Sequence, residues 1–394
     1  MKTLRLGIVG YGSRISQMIR SFFRALEPDV RVVSIVDPDE NGAHSRLDDC
    51  DKSSVVFYKT LDEMARKAKL DALAIGTRCH LHASYAIQAA KYDLPLFLEK
   101  PVAITMKQAV SLEKAFEKSK CKVVVSFPLR VAPLCTLARQ FIEEGFLGSP
   151  EHITALNYVP YGTVYWEEKY RDFKTTQGLF LQKATHDFDY MSYLMGSSIV
   201  RVAAMANYGR VFGGEKAAGL ACSRCKEQDR CLESPKNRKR NLSGGSIEDH
   251  PCTFSMDCGS PQKGMNEDCS SVVVEFASGA HGVYTQVFFS RRDAATRGPI
   301  ISGYLGTIRF DWYENSLKRV RHHAPFSDVV KAGEGMSHFG GDMELARDFI
   351  ALICGKIKRS RTPIETGVQS VYACLAAKAS AETGRFIRVR QVGQ

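Results

Sequence analysis

Between Leu4 and about Ser126, short apolar runs alternate with stretches whose apolar residues recur at helical spacing. This alternation is the tightest constraint on the chain, because buried parallel strands read as continuous Val/Ile/Leu runs and need helical crossovers between them. The expected strands are Leu4–Val9, Val30–Val36, Val55–Tyr58, Ala72–Ile75, Leu96–Leu98 and Lys122–Ser126. Between the first two, Ile15, Met18, Ile19, Phe22, Phe23 and Leu26 form one apolar stripe to lay on a sheet. A βαβ unit is the result, and a doubly wound α/β sheet is expected over residues 1–130.

The pattern then changes. A helix from Pro133 to Glu144, ended by Gly145, leads into longer β-rich segments. Strands are expected at Glu151–Tyr158, Val200–Tyr208, Ser271–Phe276, His281–Phe289, Ile300–Phe310 and Leu317–His322, with helices near Phe188–Met195, Gly341–Ile353 and Gly367–Gly384. Residues 131–394 are therefore read as an α+β domain with a large, mainly antiparallel open sheet. Residues 213–270, rich in Gly, Ser, Pro, charge and Cys, are read as an inserted loop region. A length of 394 residues suits two such domains.

Composition narrows the function classes. Apolar residues at 44% and charged residues at 25% fit an ordinary folded protein, not a disordered one. No apolar run reaches the roughly 18 residues of a membrane span. The opening Met1–Gly12 lacks the apolar run and cleavage site of a secretory leader, so a cytoplasmic protein with no membrane partner is expected. The net charge of +11 invites an anionic ligand. Its densest cluster, Lys236-Asn237-Arg238-Lys239-Arg240, has no interleaved aromatics and reads as a solvated loop, so no nucleic-acid partner is expected.

Four motifs carry chemistry. Gly10-Tyr11-Gly12-Ser13-Arg14-Ile15 follows the first strand and opens the striped helix. A glycine at 10 permits the tight turn, a glycine at 12 lets the backbone approach a pyrophosphate, and the helix N-terminus attracts its charge. Ile15 replaces the third glycine, so the helix is expected to stand slightly farther from the strand. Asp37, at the end of strand two, is placed to accept from ribose hydroxyls and to repel a 2′-phosphate, which favours NAD over NADP. Thr77, His82 and Glu99-Lys100-Pro101 follow the ends of strands four and five and face the same crevice. There Lys100 suits an oxyanion and Glu99 suits orienting it. In the later domain, Lys183-Ala184-Thr185-His186-Asp187-Phe188-Asp189 opens a helix. His186 is suited to proton transfer near neutrality, and Asp189 shares its face as an orienting or first-turn residue.

In this order, and with Arg130 and Pro133 between them, these residues resemble the Gfo/Idh/MocA oxidoreductases over nearly the whole chain. The resemblance implies a Rossmann domain, a second domain whose open sheet forms oligomer contacts (a dimer or tetramer), and NAD(P)-dependent chemistry on sugars, inositols or related polyols. It casts Lys100 as the lysine at the substrate oxygen and His186 as general acid/base, with Arg130 and Asp189 beside the substrate. Inositol dehydrogenase-like members carry an Asp four residues before the histidine. Here Gln182 stands there, which makes the neighbouring Lys183 a second candidate for proton transfer or substrate binding. The expected function is hydride transfer between nicotinamide and a secondary hydroxyl or ketone. A dinucleotide-binding regulator or scaffold without turnover is the alternative.

Six of twelve cysteines crowd between Cys222 and Cys269. In a reducing compartment such clustering suits a metal. Cys222, Cys225, Cys231 and Cys252 are the expected ligands of a structural zinc, with Cys258 or Cys269 as substitutes; free thiols, and an iron–sulfur cluster or disulfides, are the alternatives. Cys50, Cys79, Cys121, Cys135, Cys354 and Cys374 are read as small buried residues. A cysteine-rich insertion together with His338-Phe339-Gly340-Gly341-Asp342 resembles a subset of the same family. There the plain reading is a turn with Asp342 as helix N-cap, and His338 is a candidate for the substrate crevice.

Overall fold

The computed structural model describes residues 3–332 and 337–394. The chain forms two compact units, one comprising 1–136, 333–372 and 391–394, the other 137–332 and 373–390. Among the described residues no helix is long and apolar enough to cross a membrane.

The first unit holds six strands: β1 (Leu4–Val9), β2 (Val30–Val36), β3 (Val56–Phe57), β4 (Ala72–Ile75), β5 (Leu96–Leu98) and β6 (Val123–Val125). They are ordered β3-β2-β1-β4-β5-β6, and every pairing is parallel. The expected strands are present to within a residue or so at their ends. Strands β4, β5 and β6 are buried on both faces, and in one cluster Phe23 from the helical segment after β1, Phe97 from β5 and Phe349 from the helix Gly341–Ile353 meet with ring centroids 5.1–5.6 Å apart. Register aligns the strand ends. Val9 pairs with Val36 and with Ile75, and Ile75 with Leu98, so Gly10, Asp37, Gly76 and Glu99 all emerge at one edge.

The second unit is built on nine strands. They are β7 (Pro150–Tyr158), β8 (Ile199–Tyr208), β11 (Glu267–Phe276), β12 (His281–Val287), β13 (Thr296–Gly303), β14 (Gly306–Asp311), β15 (Ser316–Arg321), β16 (Ser327–Val330) and β17 (Ile387–Arg388), with β9 (Gly259–Ser260) and β10 (Gly264–Met265) forming a separate hairpin. The order is β16-β15-β14-β13-β7-β12-β11-β8-β17. Only β12 and β7 run parallel; their neighbours are antiparallel. The expected single strand Ile300–Phe310 is two, β13 and β14, because the chain turns at Tyr304 and Leu305, apolar residues that nevertheless face solvent. One sheet face is covered by the helix Thr185–Met195, whose Phe188 stacks edge-on against Tyr284 of β12 at 5.3 Å.

The insertion departs from the expected loop. It holds the helix Pro235–Asn241, capped by Ser234. Within it Arg238 is 1% exposed and ion-paired to Glu167 and Glu233. The basic run is therefore not wholly solvated: Lys236, Lys239 and Arg240 are exposed, while Asn237 and Arg238 are buried. Cys50 and Cys354 correct another expectation, since both are exposed; Cys79, Cys121, Cys135 and Cys374 are buried as expected.

Candidate functional site

The glycine loop is built by two different constraints. Gly10 has φ +79, and a Cβ there would lie 2.8 Å from the backbone of Thr77. Gly12 caps the helix Ser13–Gln17 in extended geometry, and the nearest atom to a Cβ there is Gly76 O at 4.0 Å. The fold demands the first glycine; the second leaves a cradle a side chain would fill, which is the room a pyrophosphate needs. The space for Ile15 comes from the neighbouring strand. A Cβ on Gly76 would lie 2.1 Å from Ile15 Cγ1, so the missing third glycine has been moved to the end of β4. Tyr11 contributes backbone only, since its ring is buried in the core. Asp37 accepts from Tyr11 N at 2.8 Å and from Asp39 N at 2.9 Å, which fixes its carboxylate beside the loop with lone pairs remaining for ribose hydroxyls.

Arg14 and Glu99 are engaged within the protein. The Arg14 guanidinium forks onto Asp342 at 2.5 and 2.8 Å and donates to Glu99 at 3.2 Å. Burial opposes the Asp342 charge, but Arg14 and then His338, whose ring nitrogen lies 2.8 Å away, hold that carboxyl below the usual range. Asp342 is thus not the N-cap. Gly340 is, in left-handed geometry that His338 and Phe339 share. His82 is 2% exposed, with its ring nitrogens 2.8 Å from Pro101 O and 2.9 Å from Thr77 O. Burial lowers its pKa. It ties the loops after β4 and β5 together instead of presenting a nitrogen to a ligand. Thr77, Lys100 and Arg130 are half-buried, and Ser13 is exposed.

In the second unit, Phe180–Ala184 form a π-helical turn that runs into the helix Thr185–Met195. Such turns are concentrated at functional sites. This one carries Lys183, whose Nζ donates to Tyr161 Oη at 2.8 Å and lies 4.9 Å from that ring's centroid. Burial lowers the Lys183 pKa. Lys183, His186, Gln182 and Asp189 are all buried. Asp187 is the anchor of the segment: its oxygens accept from Arg297 at 2.8–3.0 Å, from Asn157 at 3.0 Å and from Tyr284 at 3.0 Å. Three strands thereby fix the turn bearing Lys183 and His186. Neither Tyr161 nor the Arg297–Asp187 pair was marked by spacing in the sequence, because each contact joins distant segments.

The expected metal ligands are gathered but do not form a centre. Cys222 N donates to His250 O and Cys252 N to Leu220 O, pairing their two segments, and Cys225 N donates back to Cys222 O in a tight turn. Burial, then Cys252 and Cys231, push the Cys222 thiol up to about 12. Yet among the described residues no three His, Cys, Asp or Glu side chains stand close enough to hold one ion. The expectation of a formed Cys222–Cys225–Cys231–Cys252 site is corrected to that extent. Two of the thiols have other contacts: Cys225 with Lys216 at 3.7 Å, and Cys222 with the His250 ring at 3.7 Å.

Residues 4–127 match the oxidoreductase family with an NAD-binding Rossmann fold. Residues 136–309 match the GFO/IDH/MocA C-terminal domain. The chain belongs to the Gfo/Idh/MocA oxidoreductase family. It is similar to inositol 2-dehydrogenase of Rhizobium meliloti (strain 1021), 27% identical over 207 residues, 52% of this chain and 58% of that protein. It is also similar to scyllo-inositol 2-dehydrogenase (NAD(+)) of Bacillus subtilis (strain 168), 24% identical over 194 residues, 47% of this chain and 51% of that protein. The chain spans about half the length of these curated relatives. In fold it resembles levoglucosan dehydrogenase solved with NADH and levoglucosan: TM-score 0.74 at 18% identity, covering 99% of this chain and 100% of that one.

Proposed function

We propose that the protein is an NAD-dependent oxidoreductase that moves hydride between nicotinamide and a secondary hydroxyl or ketone of a sugar, inositol or related polyol. The observation that carries this reading is the row of strand-end residues Gly10, Asp37, Gly76 and Glu99, with open space at Gly12 that the fold itself does not use. When bound, the cofactor supplies the hydride acceptor or donor. Gly10, Tyr11, Gly12 and Ser13 would hold its pyrophosphate by backbone, and Asp37 its ribose. Lys100 steadies the substrate oxygen as negative charge develops, while the candidates for taking up or returning the hydroxyl proton are His186 and, in place of it, Lys183. Arg130 and Asp189 complete the substrate contacts in this reading. The relatives' names support the inositol class.

The test is NADH and NADPH fluorescence titration, followed by turnover on scyllo-inositol, myo-inositol and levoglucosan. Tighter NADH than NADPH binding and turnover of one probe are expected, with Lys100→Met keeping NADH affinity and losing about 10²-fold or more in kcat. A Lys100→Met protein with full turnover sinks the assignment of Lys100. Binding without turnover on a broad carbinol panel would favour a regulator, the reading that the buried Gln182 supports.

We further propose that Cys222, Cys225, Cys231 and Cys252 close on a structural zinc in a reducing, cytoplasmic setting. The paired segments and tight turn described above support this. Metal content near one zinc per chain is expected, lost together with thermal stability in Cys225→Ser. A metal-free protein with an unchanged melting temperature on that substitution would reject it.

We also propose a homo-oligomer paired through the exposed face of the nine-stranded sheet, where Met205 is 81% exposed and Val273 and Ile300 are each 44% exposed.

A further inference from the structure

We propose that Tyr161 is the group that exchanges a proton with the substrate hydroxyl, and that Lys183 behind it stores that proton. The inference rests on the hydride-transfer reading above and deepens it. Lys183 is 6% exposed and Tyr161 43% exposed, joined by the 2.8 Å hydrogen bond from Nζ to Oη. A ligand at this surface meets the phenol, and the amine is reached through it. The turn is held rigidly. Tyr161 O accepts from Val164 N, and the next residue, Gly162, lies so close to Phe288 that a Cβ would stand 1.9 Å from its carbonyl oxygen.

The surroundings suit a proton relay. Burial lowers the Lys183 pKa; Tyr161 opposes this, Arg297 of β13 adds to it, and Asp187 opposes it. Tyr161 in turn is faced by Tyr165, Tyr313 and Arg297, each of which interacts with it electrostatically. The amine is therefore more readily neutral than an exposed lysine, and a neutral amine accepts from the phenol O–H. In the oxidative direction the carbinol O–H bond breaks and its proton forms a new O–H on Tyr161. The phenol's former proton passes to Nζ, giving an ammonium. The carbinol C–H pair leaves as hydride to nicotinamide, and a C=O bond forms. One proton is gained by Lys183 and one hydride by the cofactor, and the reverse sequence serves reduction. No carboxylate partner is needed, which accounts for Gln182 where the inositol dehydrogenase-like pattern has Asp.

The experiment uses the full chain with NADH bound and has two arms. In the first, NMR of Cε-labelled lysine, assigned with Lys183→Met, follows the Lys183 titration. A midpoint below the ordinary lysine range of about 10.4 is expected, moving lower still in Tyr161→Phe because the phenol's opposing contribution is gone. Identical midpoints in wild type and Tyr161→Phe would overturn the pair. In the second arm, turnover is measured with scyllo-inositol, myo-inositol and levoglucosan. Tyr161→Phe is expected to lose about 10²–10⁴-fold in kcat, with KM and NADH affinity changed only a few-fold and one limb of the pH–rate profile removed. A Tyr161→Phe protein with the wild-type kcat and pH profile would overturn the proposal. If wild type turns over no probe, the hydride-transfer reading fails, and the titration alone decides for or against the pair.

Discussion

Gly10 and Gly12 sit two residues apart yet answer to different masters. At Gly10 both the positive φ and the 2.8 Å approach of Thr77 are imposed by the fold; at Gly12 neither applies. Gly12→Ala is therefore expected to keep the melting temperature within about 2 °C, since surface substitutions cost little, while weakening NADH binding by about tenfold or more. Gly10→Ala is expected to lose about 1–3 kcal/mol of stability, the cost of a strained backbone position. Paired thermal melts and NADH titrations check this, and equal losses of stability would show that Gly12 serves the fold after all. At this scale the loop was legible because its function demands residues adjacent in sequence. What gave Ile15 its room was not, because Gly76 lies at the end of another strand. The pairing of Arg14 with Asp342 has no local signature for the same reason, since the fork joins segments far apart in the chain and position alone makes Asp342 look like a helix cap.

Among elements, the strands of the first unit were read closely because parallel strands are buried on both faces and need uninterrupted apolar runs. The β13–β14 turn is not legible in the sequence because Tyr304 and Leu305 are apolar, so hydrophobicity masks the reversal. The helix Pro235–Asn241 is hidden by a basic composition that resembles a solvated loop, whereas Arg238 is drawn inward by Glu167 and Glu233. Glu167 itself is buried, and Arg291 shares Glu233 at 2.9 Å. Removing one member of a buried ion pair leaves an uncompensated charge. Arg238→Met is expected to cost about 3–5 kcal/mol of unfolding free energy, whereas Lys239→Met, on the exposed side of the same helix, is expected to stay within about 0.5 kcal/mol. Urea denaturation of the two variants checks this, and equal effects would remove Arg238 as the anchor of the insertion. Because Glu167 follows the turn carrying Tyr161, the same clamp steadies the segment that supports the Lys183 pair.

For the molecule as a whole, the nine-stranded sheet poses the question of what covers its second face. Register places Ala203, Val273, Val283, Thr154, Ile300 and Arg309 side by side across β8, β11, β12, β7, β13 and β14. The next row includes Met205 opposite Ser271. Met205 is 81% exposed, and Val273 and Ile300 are each 44% exposed, while their neighbours Val272 and Val274 are wholly buried on the other face. The exposed face of these strands is mixed, with Arg201, Ser271, Glu275 and Arg309 beside Met205, Val273 and Ile300, and its apolar part is what a partner would cover, since contiguous exposed apolar surface is rare on monomers. In the proposed homo-oligomer a second copy of the chain covers this row, face to face, with side chains of the two sheets interdigitating. Met205→Lys combined with Val273→Lys is therefore expected to convert the assembly to monomers in sedimentation velocity. NADH affinity should stay unchanged, because both positions belong to the second unit and the cofactor residues to the first. A wild-type chain that sediments as a monomer, or a double variant that remains assembled, would leave this face without the partner its composition calls for and would direct the search to other surfaces.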